Sequence, residues 1–327
     1  MAAAVGGILA TVAKQAAHRD AELDELPLLD RLERRYSIPR WWAGRWVRTL
    51  SPDRAIARAQ AIARPPPVEV CVAPHADLET IATTLAERRT HARVVRIEGV
   101  PRGLALSAAG DVFYAPEATA GDLWVQSGPS QRVGHVLDPQ PGESVLDLCA
   151  GRGTKTQQIA ALLGGRGRIV AADVDPRRLD DLRDRLAAGR IRRPDGGLEV
   201  IVHDATEPVP EPWREAFDAV LVDAPCTGLG EAARHPEVRY RRRFEDLAAC
   251  QARQRSILTE AAATVRPGGR LVYAVCSTEA EEGPDVLAAF IRDRGDFEVT
   301  HTETLQPEDG WSAGFFVARL ERRIDAA

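Results

Sequence analysis

From residue 142 onward, short apolar runs alternate with helix-forming segments, and this alternation restricts the chain more than any other feature. The runs are SVLDLC (144–149), RIVAADV (168–174), LEVIVHD (198–204), DAVLVDA (218–224) and RLVYAVC (270–276). Nearly continuous apolar strands joined by helices are buried on both faces, the pattern of a doubly wound, mostly parallel α/β sheet. FEVTHTETL (297–305) and GFFVARLE (314–321) follow with no full helix between them. An antiparallel ending to the sheet is therefore expected.

The chain ahead of this pattern reads differently. LPLLDRLERRYSIPRWWAGRWVRTL (26–50) carries apolar positions at helical spacing, with Pro39 suited to open a helix. ARPPPVEV (63–70) is a stiff boundary. VEVCVA (68–73) and ARVVRI (92–97) read as strands around the helix-like DLETIATTLAERR (77–89). The expected division is an N-terminal helical segment (1–62), a small α/β module (63–120) and a larger domain of Rossmann-like build (121–327).

Composition removes several classes of function. The 327 residues carry a net charge of −5, so nucleic acid has to be held by local basic patches. Five cysteines without a C-x-x-C pair fit neither a disulfide framework nor a zinc ribbon, and no metal is expected. No stretch approaches the roughly 18 apolar residues of a membrane span. MAAAVGGILATVAKQ (1–15) lacks a basic leader and a clear cleavage site, so the expected location is the cytoplasm. Of 43 basic residues only Lys14 and Lys155 are lysines. A compact ammonium and a planar guanidinium are not interchangeable, which marks Lys155 as a position where arginine does not serve.

In a doubly wound sheet, ligands bind beyond the carboxyl ends of the strands. The first strand of this sheet runs into Cys149-Ala150-Gly151-Arg152-Gly153-Thr154-Lys155, where the two glycines permit a tight turn before a helix. Asp173 ends the second strand about 20 residues beyond the glycines, the spacing at which a carboxylate holds ribose hydroxyls. Asp204 ends the third and Asp223 the fourth. Asp175-Pro176 reads as an N-cap and a first helical residue. Each aspartate taken singly is equally a helix cap, but a glycine turn with successive acidic strand ends favours a nucleoside cofactor. The loop has neither G-x-G-x-x-G nor the G-K-[ST] ending of a phosphate loop, which points to S-adenosylmethionine.

The fourth strand continues into Asp223-Ala224-Pro225-Cys226 and the fifth into Cys276-Ser277. With Gly151, Gly153 and Lys155 upstream and RHPEVRYRRR (234–243) downstream, this pairing resembles the RsmB/Nop/Sun family of RNA cytosine-5 methyltransferases. The resemblance covers about residues 121–320 and extends more weakly through RYSIPRWWAGRW and RPPPVEV. It implies that Cys276 attacks cytosine C6, that Cys226 assists breakdown of the adduct, and that Asp223 holds the base near N3. Lys155 would supply positive charge near these groups, which favours thiolate. Cys71 and Cys250 read as inert buried thiols. The chain departs from the family pattern at Arg152, at Ser127 after Gln126, at Val275, and at Ala280 and Gly283, which flank the Glu281-Glu282 pair that the pattern shares.

RHPEVRYRRRF (234–244) interleaves Arg234, Arg239, Arg241, Arg242 and Arg243 with Tyr240 and Phe244, which reads as a phosphate and stacking surface. RRYSIPRWWAGRWVR (34–48) is read equally as a second such surface or as a helix with its tryptophans packed inward. VGGILATVAKQ (5–15) resembles the last helix of the NusB-like RNA-binding domain of the family's bacterial members. The remainder of that domain would come from a partner, or be replaced by the small α/β module. The expected partner is RNA: ribosomal RNA first, transfer RNA second. A DNA cytosine-5 methyltransferase with Cys226 as nucleophile, and a catalytically silent RNA-binding assembly factor, stay open as alternatives.

Overall fold

The computed structural model describes residues 11, 21–88, 93–107 and 112–324. The opening segment read as a NusB-like helix lies almost wholly outside them. Helices Leu28–Tyr36, Arg40–Thr49 and Pro52–Ala63 come first. A four-stranded antiparallel sheet follows, built from β1 (Val68–Val72), β2 (Val94–Arg96), β3 (Gly103–Leu106) and β4 (Leu123–Val125) in the order β2-β3-β1-β4. Helix Leu78–Glu87 packs Leu78, Ile81 and Leu85 against this sheet. The strands β3 and β4 are short and Gly- or loop-flanked, and the sequence pattern had not separated them. β4 lies past residue 120, so the small sheet runs beyond the boundary set from the sequence.

The large sheet contains β5 (Ser144–Asp147), β6 (Arg168–Asp173), β7 (Leu198–Val202), β8 (Phe217–Asp223), β9 (Val265–Val275), β10 (Phe297–Leu305) and β11 (Phe315–Arg322). Its order is β10-β11-β9-β8-β5-β6-β7. The pairs from β9 through β7 are parallel, while β11 is antiparallel to both β9 and β10. This is the expected doubly wound sheet with its antiparallel ending. Period-2 alternation sends Leu146, Val170, Val220 and Tyr273 to one face and Val145, Ile169, Leu221 and Val272 to the other. Both faces are dry, which is why these strands read as continuous apolar runs. Strand order reverses at β5, since β6 lies on one side and β8 on the other, and a crevice at such a switch point is where ligands bind.

The first three helices do not stand apart. Leu32, Trp42, Trp46, Ala59 and Ile62 form one apolar cluster with Leu229, Ala232 and Leu247, from the part of the chain that builds the large sheet. Trp42 Nε1 donates to Glu279 at 2.7 Å, and Arg45 reaches both Glu279 and Glu281. Arg58, itself buried, pairs with Glu308 at 2.6 Å.

Asp147, the last residue of β5, is fully buried, and one of its oxygens accepts from Thr156 Oγ1 at 2.6 Å. Burial pushes its carboxyl up to about 7; the hydroxyl of Thr156 and the charge of Lys155 oppose this, and Asp223 and Asp173 add to it. A folded pKa above the ordinary carboxyl value means that the folded state holds the proton more tightly than the unfolded chain. The stability this contributes is complete below about pH 4 and is lost as pH rises through about 7. Asp147→Asn is expected to gain melting temperature relative to wild type on going from about pH 5 to about pH 8. A difference that stays constant over that range would show that the carboxyl titrates normally.

Candidate active site

The loop after β5 is shaped by the backbone. Leu148 N–H donates to Leu221 O at 3.0 Å and Ala150 N–H to Ala172 O at 2.8 Å, so both neighbouring strands hold it. Gly151 and Gly153 take positive φ, at 54° and 77°. A Cβ at Gly153 would lie 2.6 Å from Leu182 Cδ1, whereas one at Gly151 would meet nothing within 4 Å. The loop thus presses on helix Pro176–Ala187 at one glycine and opens onto free space at the other. Asp173 is buried and accepts from Gly151 N–H at 2.8 Å and from Asp175 N–H at 2.9 Å. It fixes the loop, and a carboxylate retains lone pairs for further donors. Asp175 accepts from Arg177 N–H at 3.0 Å and is the helix cap that the sequence indicated. Asp204 is exposed and accepts from the N–H and hydroxyl of Thr206, which hold its carboxyl below the usual range. An open cradle at Gly151 with acids on adjacent strand ends fits a nucleoside carrying hydroxyls and a positive charge.

Arg152 points elsewhere. Its guanidinium is exposed and pairs with Asp181, while its carbonyl accepts from Arg185. These residues border a cavity of about 430 Å³ that also reaches Phe113, Trp124 and Gln157, between the small sheet and the helices behind the loop. Asp173, Asp223, Cys226 and Cys276 are not among its lining residues.

The two cysteines meet beyond the carboxyl ends of the adjacent strands β8 and β9. Cys226 Sγ lies 3.1 Å from Cys276 Sγ. That hydrogen bond, and then burial, pushes the Cys226 thiol well above its ordinary pKa. Lys155 Nζ, in the first turn of helix Thr154–Leu162, is 2.7 Å from Asp223 Oδ2 and 5.5 Å from the ring centre of Phe315. Burial alone would lower the Lys155 pKa. The charge and hydrogen bond of Asp223, with Cys276 and Asp147 close by, more than offset this and raise it. Gly230 N–H donates to Cys276 O at 3.0 Å, and Gly314 N–H donates to Gly230 O at 2.8 Å. A Cβ at Gly230 would sit 1.9 Å from Gly314 O, so only glycine permits this contact. The Cys149 thiol is raised by burial and four nearby acids, and Cys71 and Cys250 are raised chiefly by burial. No group of three or more metal-ligating side chains occurs among the described residues, and none of their helices is long and apolar enough to cross a membrane.

The arginine segment divides on inspection. Arg239, read from the sequence as an RNA contact, is buried. Its guanidinium donates to Ile62 O at 2.7 Å, to Ala232 O at 3.0 Å and to Tyr36 O at 3.2 Å, so it staples the first helices to the catalytic region and cannot reach a phosphate. Arg234 is half-buried and paired with Glu69 at 3.1 Å, and Arg242 Nε donates to Thr227 O at 2.7 Å. Arg241 and Arg243 are exposed, beside Tyr240 (66% exposed) and Phe244 (51% exposed). In the 34–48 stretch Trp42 and Trp46 are buried and Arg40 and Arg45 are tied to carboxylates, so the inward-packed reading holds there. Glu282, Thr227 and Gln254, around Cys226, escaped the sequence reading. The only signal was the Glu281-Glu282 pair shortly after Cys276.

Residues 134–320 match the family described as 16S rRNA methyltransferase RsmB/F. The chain is 32% identical over 259 residues to the probable ribosomal RNA small subunit methyltransferase B of Synechocystis sp., covering 74% of this chain and 57% of that protein. It therefore spans little more than half the length of that relative. The crystal structure of PH0851 superposes with a TM-score of 0.82 at 31% identity, over 90% of this chain and 68% of that one. A methyltransferase homologue from Pyrococcus horikoshii gives 0.73 at 27% identity, over 90% and 98%. A glycine loop, an aspartate–lysine pair and two juxtaposed thiols at the carboxyl edge of the sheet thus occur in a chain that belongs to the RsmB/F methyltransferase family.

Proposed function

We propose that the protein is an RNA cytosine-5 methyltransferase that uses S-adenosylmethionine and acts on ribosomal RNA. The observation that carries this reading is the 3.1 Å approach of Cys226 and Cys276 beside the Lys155–Asp223 pair. A redox or structural pair of cysteines does not call for a charged lysine and an acidic strand end beside it; addition to a pyrimidine does. Residues 149–155, with Asp173 and Asp204, would hold the cofactor, which supplies an electrophilic methyl group when bound.

The chain's own residues account for the rest. Cytosine C5 is a poor nucleophile until a thiolate adds at C6 and moves the C5=C6 electron pair toward C5. Cys276 is the attacking sulfur, and Lys155, which keeps its charge beside Asp223, lies close to it. Asp223 commits one oxygen to Lys155, and its side chain keeps 29% exposure, which leaves the other oxygen for the base near N3. After C5 is methylated its proton passes to water, the C5–H electron pair restores the C5=C6 double bond, and the C6–S bond breaks with Cys276 leaving as a thiolate. Cys226, a neutral thiol in contact with the attacking sulfur, assists this release. A base in a paired strand has to leave its stack first. Arg241, Arg243, Tyr240 and Phe244 form the surface for the flanking strand.

The test separates the sulfurs. Cys276→Ala is expected to abolish methylation and any covalent complex with RNA. Cys226→Ala is expected to attack and methylate yet fail to release, so that a denaturant-resistant adduct builds up when S-adenosylmethionine is present. An adduct in the Cys276 variant and none in the Cys226 variant would assign attack to Cys226, the DNA-type mechanism. No methylation by the wild type would return the protein to the silent-factor reading.

The arginines divide in the same manner. Replacing Arg241 and Arg243 with alanine is expected to flatten the salt dependence of RNA binding by a log–log slope of roughly 0.7 per lost contact on single strands. Stability should move by no more than about 0.5 kcal/mol. Arg239→Ala should do the reverse, costing about 2–4 kcal/mol through the carbonyls it leaves unpaired and leaving the salt slope alone. Equal slopes for wild type and the double variant would place the RNA elsewhere.

A further inference from the structure

The segment Pro225–Cys226–Thr227 is held on both sides of the sulfur by groups that no step above uses. Glu282 is fully buried. Its Oε1 accepts from Thr227 N–H at 2.6 Å, and its Oε2 accepts from Thr227 Oγ1 at 2.5 Å. Gln254, on helix Phe244–Ala262, donates to Pro225 O at 3.0 Å and stands 3.5 Å from Glu282 Oε1. Tyr273, on β9, donates its hydroxyl to Glu282 O. Glu282 closes the short 3₁₀ turn Ala280–Glu282, which comes just after Cys276. One turn therefore links the strand that carries Cys276 to the loop that carries Cys226.

A buried carboxyl is costly to keep without a cation, and Glu282 has no salt bridge among the described residues. Its partners are the backbone and side chain of the residue after Cys226. A hydrophobic residue could fill the same space, but it could not fix both the N–H and the hydroxyl of Thr227. We propose that Glu282, supported by Gln254, is the positioning residue that sets the Cys226 sulfur against Cys276 for release of the methylated base. This rests on the roles given to the two cysteines above. Attack by Cys276 does not need the clamp, whereas release needs Cys226 within contact distance, and misplacing a reacting group by about 1 Å can cost about 100-fold. The nearby carboxyl also adds to the causes that keep Cys226 a neutral thiol, behind the contact with Cys276 and burial.

Glu282→Ala, Glu282→Gln and Thr227→Val would be compared with wild type and Cys226→Ala. Melting and calorimetry with S-adenosylmethionine check the fold; a first-turnover methylation assay, steady-state kinetics and a denaturing gel read the chemistry. Glu282→Ala is expected to keep first-turnover methylation, lose about 10- to 100-fold in steady-state turnover and accumulate the covalent RNA adduct. The kcat/KM for RNA should hold within about twofold, since the clamp meets no substrate and the slowed step follows methylation. Thr227→Val, which removes one of the two bonds, should move the same way by less. Glu282→Gln keeps an oxygen for the N–H and an amide that the hydroxyl can accept, and should recover most of the turnover. Wild-type release in folded Glu282→Ala, or in Thr227→Val should Glu282→Ala not fold, overturns the proposal. So does equal loss of first-turnover methylation and adduct in those variants. If Cys226→Ala itself forms no adduct, the cysteine roles fail; if it traps RNA and the clamp variants do not, the clamp alone fails.

Discussion

Everything at the active site depends on the parallel pairing of β8 with β9. In that ladder Asp223 stands opposite Ala274. Cys226 follows three residues after the one and Cys276 two residues after the other, so both sulfurs emerge at the same edge and at nearly the same height. An antiparallel pair would send the two loops to opposite ends of the sheet. The ladder continues past the strands, where Ala224 N–H donates to Ala274 O at 2.8 Å, and the Gly230 bond to Cys276 O closes it. A one-residue slip would turn the Cys276 side of β9 to the wrong face. The buried alternation on both faces of β8 and β9 prevents that slip, so core packing fixes the geometry of the chemistry.

The single lysine of the described active site illustrates how charge is managed at this edge. Asp147, Asp173, Asp204 and Asp223 gather around the loop after β5, and each raises the cost of ionising Cys149. One cation has to fit between Asp223 and the face of Phe315 with little exposure. A point charge on a thin stem does this, whereas a planar guanidinium with five donors would leave several of them unpaired. In a chain that otherwise uses arginine for nearly every basic position, this is a physical reason for the exception.

The strands of the large sheet, their order of appearance and the antiparallel ending were legible because burial on both faces leaves a plain signature in the sequence. β3 and β4 were not, since three- and four-residue strands carry too short a pattern to stand out from loops. The cysteines, Lys155 and Asp223 were legible because each follows a strand or a glycine turn whose position the pattern fixes. Arg239 was misread for the opposite reason. Its burial depends on carbonyls of Tyr36, Ile62 and Ala232, and two of these come from helices about 180 to 200 residues away in the chain. Nothing local distinguishes Arg239 from Arg241. Glu282 was invisible on the same grounds, because its partner Thr227 is 55 residues upstream.

The first three helices complete the dependence. Trp42 and Arg45 occupy the two oxygens of Glu279, and Arg45 also binds Glu281, one residue before the clamp at Glu282. Arg239 and Arg242 then tie the segment after Cys226 back to those helices and to Thr227. The turns that follow both cysteines are thus braced from residues 36–62, not only from the sheet. Loops at a sheet edge are ordinarily the least constrained part of such a fold. Here ion pairs and the Arg239 staple, together with the apolar cluster that holds Trp42 and Trp46, tie them to the core. A positioned pair of sulfurs needs that rigidity, since β8 ends at Asp223 and β9 at Val275, ahead of both thiols.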